Sequence, residues 1–407
     1  MITQNPQKRN AFSSLGNRNF RLLWTGGMIS HMGDELQMVA ISWLVLLITD
    51  SPFLMGVASG MQSLPRLIFG LLGGVIVDRV NRHKLLMILP AIEMILAFLF
   101  ALLVLNETIQ FWHILIIVPF FGFLKMVFHV CRQAYIFDLV GKAEIMSALA
   151  LHSSGMNFAR IIGPSLAGIV IGAWGAGWCL FLNGLSFIGI LIALFMMQPP
   201  ASFKRTTVSS GILQDLGESF VFLKQNMTIF LLMAAIFIKI VFGLHVQVIL
   251  PLFARYVLQT GASGFGFLVG AMAVGAVLGG VLLAWIGDVR SKGYFYILSS
   301  LIYGLLVIIF SFSSWYALSL FILLLVGMTE MFMKTLNQTL LQLLSPDELR
   351  GRILGIRMLD SGMKPLGGLL MGAGAGLLGA PIAAALGAGV CMFVALGLFR
   401  SSRIREL

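Results

Sequence analysis

Apolar residues along this chain run in blocks too long for a soluble helix or strand. Twelve stretches of roughly 20 or more mostly apolar residues can be marked, near 22–48, 53–77, 84–105, 111–132, 145–172, 176–197, 227–251, 263–287, 293–312, 315–343, 350–377 and 381–399. A helix needs about 20 such residues to cross a bilayer, so each stretch predicts one crossing. Polar breaks separate them, and many are very short: Thr49-Asp50-Ser51-Pro52, Asn106-Glu107-Thr108, Gly175-Ala176-Gly177, Ser313-Ser314 and Gly379-Ala380-Pro381. Breaks of that length make consecutive helices antiparallel neighbours. One longer polar segment divides the pattern, giving six helices over 1–197, a linker over 198–226 and six helices over 227–407. Within the linker, Ile212, Leu213, Leu216, Phe220 and Leu223 form an apolar stripe, which predicts an amphipathic helix on the membrane surface.

Composition sharpens the class. The 407 residues are 59% hydrophobic and 11% charged, with a mean hydropathy of +0.98. So few charges exclude a soluble enzyme, and so much apolar content excludes a disordered chain. The net charge of +11 could suggest nucleic acid, but its placement argues otherwise. With the N-terminus inside, nineteen of the 27 Lys and Arg fall on inner segments and only Arg255 on an outer one. That bias orients a multi-pass protein with both termini cytoplasmic. The polar, basic first 21 residues precede a full-length span and do not read as a cleaved signal peptide. Cys131, Cys179 and Cys391 are scattered and predict neither a disulfide framework nor a metal site.

The two sets of six helices echo each other. Gly74-Val-Ile-Val-Asp78-Arg79-Val-Asn81-Arg82-His83-Lys84 follows the second span, and Gly287-Asp288-Val-Arg290-Ser-Lys292 follows the eighth. Gly163-Pro164-x2-Ala167-Gly168 in the fifth span has a counterpart in Lys364-Pro365-x-Gly367-Gly368 in the eleventh. Repeated halves are a transporter signature, with the substrate site at their interface near the midplane. The Gly-x3-Asp-Arg-x2-Arg-x-Lys loop resembles the cytoplasmic signature of the major facilitator superfamily, with Asn81 where that pattern has Gly. Arg18-Asn19-Phe20-Arg21-Leu-Leu-Trp24, Gly33-Asp34 and Thr49-Asp50-Ser51-Pro52 are similar to the drug and siderophore exporter branch, which includes macrolide-efflux and enterobactin-export proteins. Gly163, Pro164 and Gly168 resemble the antiporter motif of its fifth helix, with Ala159 and Ala167 where Gly is usual. The resemblance implies an all-α membrane protein of twelve helices in two pseudo-symmetric halves. It also implies a cytoplasmic gate of charges, with Gly74, Asp78, Arg79, Arg82, Arg132, Asp288 and Arg290 as its candidates.

Twelve charged residues fall inside the spans, and each costs roughly 2.5–3.5 kcal/mol on insertion scales unless it meets water or a partner. They group on helix faces by their spacing. The first span carries His31, Asp34, Glu35 and Met38. The fourth has Lys125, His129 and Arg132, and the fifth has Asn157, Arg160 and Pro164. The tenth has Glu330, Lys334 and Asn337, and the eleventh has Arg357, Asp360 and Lys364. Two readings compete: these stripes line a transport path with Asp34 or Glu35 as proton-coupling group, or they are interhelical ion pairs. The coupling reading suits Asp34, and the ion-pair reading suits Glu330 with Lys334. Arg66 and Glu93 have no partner readable from sequence, and His245 reads as a polar helix contact. Ridges at Gly168-x3-Gly172, Gly275-x3-Gly279 and Gly368-x3-Gly372-x3-Gly376 predict close helix packing where spans five and eight, and two and eleven, would meet.

The intramembrane residues are seven basic against five acidic, a tilt toward an anionic or zwitterionic substrate. The 23 Met and 32 Phe suit an adaptable apolar interior. No Gly-x4-Gly-Lys-Ser/Thr loop occurs, so a gradient must supply the energy. With no His-Glu-x2-His or Gly-x-Ser-x-Gly, no catalytic residue and no metal or other cofactor is expected. No loop is long enough for a sensor domain. The expectation is a proton-coupled exporter of an amphipathic small molecule, drug-like or a siderophore, in a bacterial inner membrane. It would be a monomer whose partners are the bilayer and its substrate. A lipid-like or anionic metabolite is the alternative cargo, and a polytopic sensor or membrane-embedded enzyme is the non-transport alternative.

Overall fold

The structure, a computed structural model, describes residues 12–198, 226–243, 245–287, 291–345 and 360–400; the side chains of 70–75, 78, 143, 360 and 361 are outside that description. Among the described residues, twelve long helices follow the predicted spans. They are α1 (Arg18–Thr49), α2 (Pro52–Arg79), α3 (Arg82–Leu105), α4 (Phe111–Lys142), α5 (Glu144–Trp174) and α6 (Ala176–Met196). After the linker come α7 (Met227–Val257), α8 (Gly261–Ile286), α9 (Lys292–Ser311), α10 (Tyr316–Leu344), α11 (Asp360–Leu378) and α12 (Ala380–Phe399). Among the described residues, ten are long and apolar enough to cross a bilayer by themselves. The two that are not, α2 and α11, pack against each other, and protein shields that surface from lipid. The predicted amphipathic linker helix lies outside the described residues.

Local chemistry sets the helix ends. Asp50 closes α1 in the left-handed region at φ 48°, and Ser51 caps α2 by accepting from the Leu54 amide, with Pro52 in the first turn. Asn81, which departs from the family's Gly, has its own reason: its Oδ1 accepts from the Lys84 amide and caps α3. Gly141, at φ 64°, turns the chain between α4 and α5, a conformation glycine takes without steric cost. The opening motif clamps the start of α1. Trp24 Nε1 donates to the Leu151 carbonyl, Asn17 Nδ2 to the Leu139 carbonyl, and Asn19 exchanges two bonds with Gln198. We call this the near end of the bundle and its opposite the far end.

Helix α7 is not the single rod that its apolar run predicts. Regular helix stops at Phe242, resumes at Val246 and ends in a π-helical turn over Phe253–Val257. Neighbours satisfy the break: buried Tyr303 of α9 donates to the Gly243 carbonyl at 3.1 Å. Close packing shapes it too, since a Cβ on Gly243 would strike Cys391 Sγ of α12.

Contacts between the first and last six helices are backbone against backbone. Gly56 meets Gly368 and Gly372 across α2 and α11, and Gly60 meets Pro365. Gly168 meets Gly266 across α5 and α8, with the Pro164 carbonyl beside it. Ser263 also donates to the Gly168 carbonyl at 3.2 Å. These contacts belong mainly to the far-end parts of the helices. There α1 and α7 also join: Tyr256 donates to Asp50, and Arg255 lies 3.8 Å from the same carboxylate. The helix pairs are those expected, but one ridge is not. Gly275 and Gly279 face Leu324 and Met328 of α10, inside the last six helices; α8 meets α5 through Gly266 and Gly270 instead.

A methyl group at Gly275 would strike the Leu324 carbonyl, whereas Gly376 has nothing within 4 Å. We predict that Gly275→Ala lowers the melting temperature of the purified protein, by overpacking worth roughly 1–3 kcal/mol. Gly376→Ala should hold or raise it, because Ala favours helix by up to about 1 kcal/mol. Equal melting of the two variants would refute the assignment of these faces.

Candidate functional site

The charges of the first six helices converge at mid-depth. Asp34 lies sixteen residues into α1, about 24 Å from its start at 1.5 Å per residue. Its carboxylate sits 2.8 Å from Lys125 Nζ of α4, and both side chains are largely buried. His31, one turn earlier, brings Nδ1 to 3.8 Å from the other Asp34 oxygen. Glu35 turns toward α5 instead, where Arg160 Nε lies 3.9 Å from its Oε1. The predicted face of α1 thus holds together, but its two acids serve different helices. Two glycines make room. A Cβ on Gly33 would overlap Ser186 and Asn183 of α6, and a Cβ on Gly163 would overlap the Glu35 side chain. Gly163 of the antiporter-like motif is therefore the seat of Glu35. Pro164 and Gly168 of that motif instead make the contact with α8.

Two residues without readable partners gain a setting here. Glu93 of α3 is 2% exposed and lies within electrostatic range of Asp34, Lys125 and Arg132. Arg66 of α2, with Arg132 and Arg160, lies within range of His129. His129 Nε2 is 3.0 Å from the Gln133 amide nitrogen, one turn along α4. His152 of α5, not singled out from sequence, tilts its ring 6.1 Å from that of His31. It shares a face with Arg160, two turns on, a spacing visible in the sequence. Buried His31 Nε2, Glu93 Oε1, Arg132 Nε and His152 Nε2 have no hydrogen-bond partner among the described residues. Such atoms call for water or a ligand.

Arg132, a gate candidate by resemblance, lies ten residues before the end of α4 at Lys142; it is 2% exposed, and its guanidinium lies over the Phe128 ring. At the near end, Arg82 donates to both oxygens of Asp138 of α4, at 3.0 and 2.8 Å, a partner not anticipated from sequence. Arg79 is exposed at the end of α2. Gly74 and Asp78 fall in the last turns of α2, with their side chains outside the description; Asp288, Arg290 and Arg357 lie outside the described residues.

The last six helices hold fewer of the expected groupings. Lys334 donates to Glu330, but along α10 itself, so this bond is intrahelical rather than between helices. Asn337 leaves that stripe and donates to the Leu232 carbonyl of α7. Lys364 is exposed on α11 and near His245, while the Asp360 side chain is outside the description. Asn157 is exposed on α5, and Met38 is half-buried on α1. Lys239 of α7 is fully buried. Its ammonium donates to Ser300 Oγ at 2.6 Å, Tyr296 OH at 3.3 Å and Met333 Sδ at 3.7 Å, and lies over the Tyr296 ring. Its position in the last turn of the first segment of α7 also sets it against the negative end of that helix. Among the described residues, no group of three or more His, Cys, Asp or Glu could hold a metal ion.

Because Asp34 and Lys125 screen each other from a low-dielectric core, removing one partner should cost more than removing both. We predict that Lys125→Met destabilises the purified protein by about 2–4 kcal/mol, and that adding Asp34→Asn recovers most of that loss. Purely additive losses in a double-mutant cycle of melting measurements would dismiss the pair as an energetic unit.

Comparison with known proteins agrees with this architecture. Residues 9–407 match the family model described as transmembrane secretion effector. The chain is 24% identical over 358 residues to the staphyloferrin A transporter of Staphylococcus aureus, covering 86% of this chain and 88% of that protein. It is also 24% identical over 382 residues to an enterobactin exporter of Shigella boydii, covering 92% and 89%. The crystal structure of the nucleoside transporter NupG superposes with a TM-score of 0.72 at 11% identity, covering 94% of this chain and 98% of that one. The fold is thus that of a transporter rather than an enzyme, and the chain belongs to the transmembrane secretion effector family of the major facilitator superfamily.

Proposed function

We propose that the protein is a proton-coupled exporter that moves an amphipathic small molecule, drug-like or a siderophore, out of a bacterial cell by alternating access. The observation that carries this reading is the Asp34–Lys125 pair at mid-depth, with Glu35 one residue on beside Arg160. The pair ties α1 to α4, so protonating Asp34 would release that tie, and that release is what coupling a proton to helix movement requires. The exporters among the relatives support the direction.

The Lys and Arg bias supports cytoplasmic termini, in the inner membrane. With far-end contacts between the two sets of helices, the cleft then opens to the cytoplasm, where an exporter loads. The proton gradient is the energy source, no cofactor is required, and the working unit is a monomer. One observation favours a lipid-like cargo as a second reading: a groove of about 410 Å³ between α1, α5 and α6, walled by Met28, Met32, Phe158 and Leu185 with the Ser186 hydroxyl.

The test is transport into proteoliposomes of ethidium, erythromycin and a catecholate siderophore. An acidic lumen is expected to drive accumulation of at least one of them, as protons leave in exchange. Asp34→Asn should reduce the gradient-driven component about tenfold or more, the scale of losing one coupled group worth about 1.4 kcal/mol. Flux that ignores the gradient, or full gradient-driven flux in the variant, would remove the coupling.

A further inference from the structure

Arg160 stands sixteen residues into α5, about 24 Å from its start and so near the middle of the bilayer. Yet its side chain is 58% exposed. A guanidinium facing hydrocarbon at that depth is prohibitive, so the exposure must be to a water-filled cleft. The helix register agrees. Pro164 and Gly168, one and two turns toward the far end, pack against α8, and Arg160 lies one turn nearer the start of α5. Only its Nε approaches an acid, at the long distance of 3.9 Å from Glu35. Its two Nη groups make no hydrogen bond among the described residues.

Around this guanidinium the cleft wall is basic. His129 is within range of Arg66, Arg132 and Arg160 together, and His152 Nε2 is an unused polar atom near Arg132 and His129. The neighbouring acids are engaged or shut away: Asp34 pairs with Lys125, Glu35 lies on the Nε edge of Arg160, and Glu93 is 2% exposed. What the wall offers an incoming molecule is therefore a guanidinium fork with free N–H groups, flanked by further basic side chains. A planar or tetrahedral oxyanion pairs with that fork bidentately, while among the described residues Glu93, whose Oε1 has no partner, is 2% exposed and so not presented to a cation.

We propose that this wall binds the anionic group, a carboxylate or another oxyanion, of an amphipathic substrate, with Arg160 as its principal contact. The proposal rests on the transporter reading and gives it a substrate class. The test uses purified full-length protein at equilibrium in detergent, with two probes that share one apolar body: dansylaminoundecanoate and the counterpart ending in trimethylammonium. Calorimetry should find the carboxylate probe bound more tightly, with affinity falling as salt rises. Arg160→Gln should weaken it about tenfold or more and leave the ammonium probe unchanged. Arg160→Lys, a point charge without the fork, should fall between. Tighter binding of the ammonium probe, or a carboxylate affinity within about twofold of the original in a folded Arg160→Gln variant, would overturn the proposal. If Arg160→Gln does not fold, the probe comparison and Arg160→Lys still decide. No gradient is imposed, so failure of proton coupling leaves this result standing. Conversely, a preference for the cation would overturn the anion site while leaving gradient-driven export intact.

Discussion

An ammonium and a carboxylate 2.8 Å apart at the mid-depth of a helical bundle organise much of what surrounds them. Apolar contact holds the helices together but discriminates poorly among rotations of a rod that is apolar nearly all round. A charge discriminates strongly, because leaving it in hydrocarbon costs more than any single packing choice. Asp34 therefore fixes which way α1 faces, and Lys125 does the same for α4. Once α1 is so turned, Glu35 points at α5 and Gly33 at α6, and the glycines at 33 and 163 become necessary rather than incidental. The ion pair, the glycine positions and the order of helices around α1 are three expressions of one constraint.

Cohesion within each set of six helices differs in kind from cohesion between the sets. Within a set, large side chains interdigitate and buried polar groups find partners, as Asn183 does with Gln37 and Lys239 with Ser300, Tyr296 and Met333. Between the sets, glycine backbones lie against one another at Gly56 with Gly368 and Gly168 with Gly266. The first kind of contact is lost if the helices shift by a few ångströms, because each bond is directional. The second is smooth where glycine meets glycine, and side chains tie it at Ser263 with the Gly168 carbonyl and at Tyr256 with Asp50.

The number and order of the helices are legible in the sequence because the bilayer imposes a local rule: about 20 apolar residues, then a break. Helix caps were equally local, as the Ser51 cap followed by Pro52 illustrates. What the bilayer does not dictate was harder to read. Arg132 looked like a loop residue because hydropathy falls there, although α4 runs on to Lys142 inside the protein. The Gly275 ridge is legible as a packing face, but its neighbour, α10, is not, since spacing gives a face and never its partner. The break in α7 left no trace in an unbroken apolar run, being set by Tyr303 and Cys391 from other helices. At the site, Asp34, Glu35, Lys125 and Arg160 were each legible as costly charges. Their pairing was not, because it depends on rotations that side chains distant in sequence decide; Glu93 and Lys239 drew their surroundings from such residues.

The seat that Gly163 provides for Glu35 ties two positions on different helices into one unit of inheritance. Any side chain at 163 would occupy the space of the acid, and any retreat of the acid would leave an empty pocket beside α5. Among descendants of this chain, a change from glycine at 163 should therefore accompany a shorter residue at 35. The motif glycine would then serve as a marker, readable in α5, of whether α1 still carries its second carboxylate.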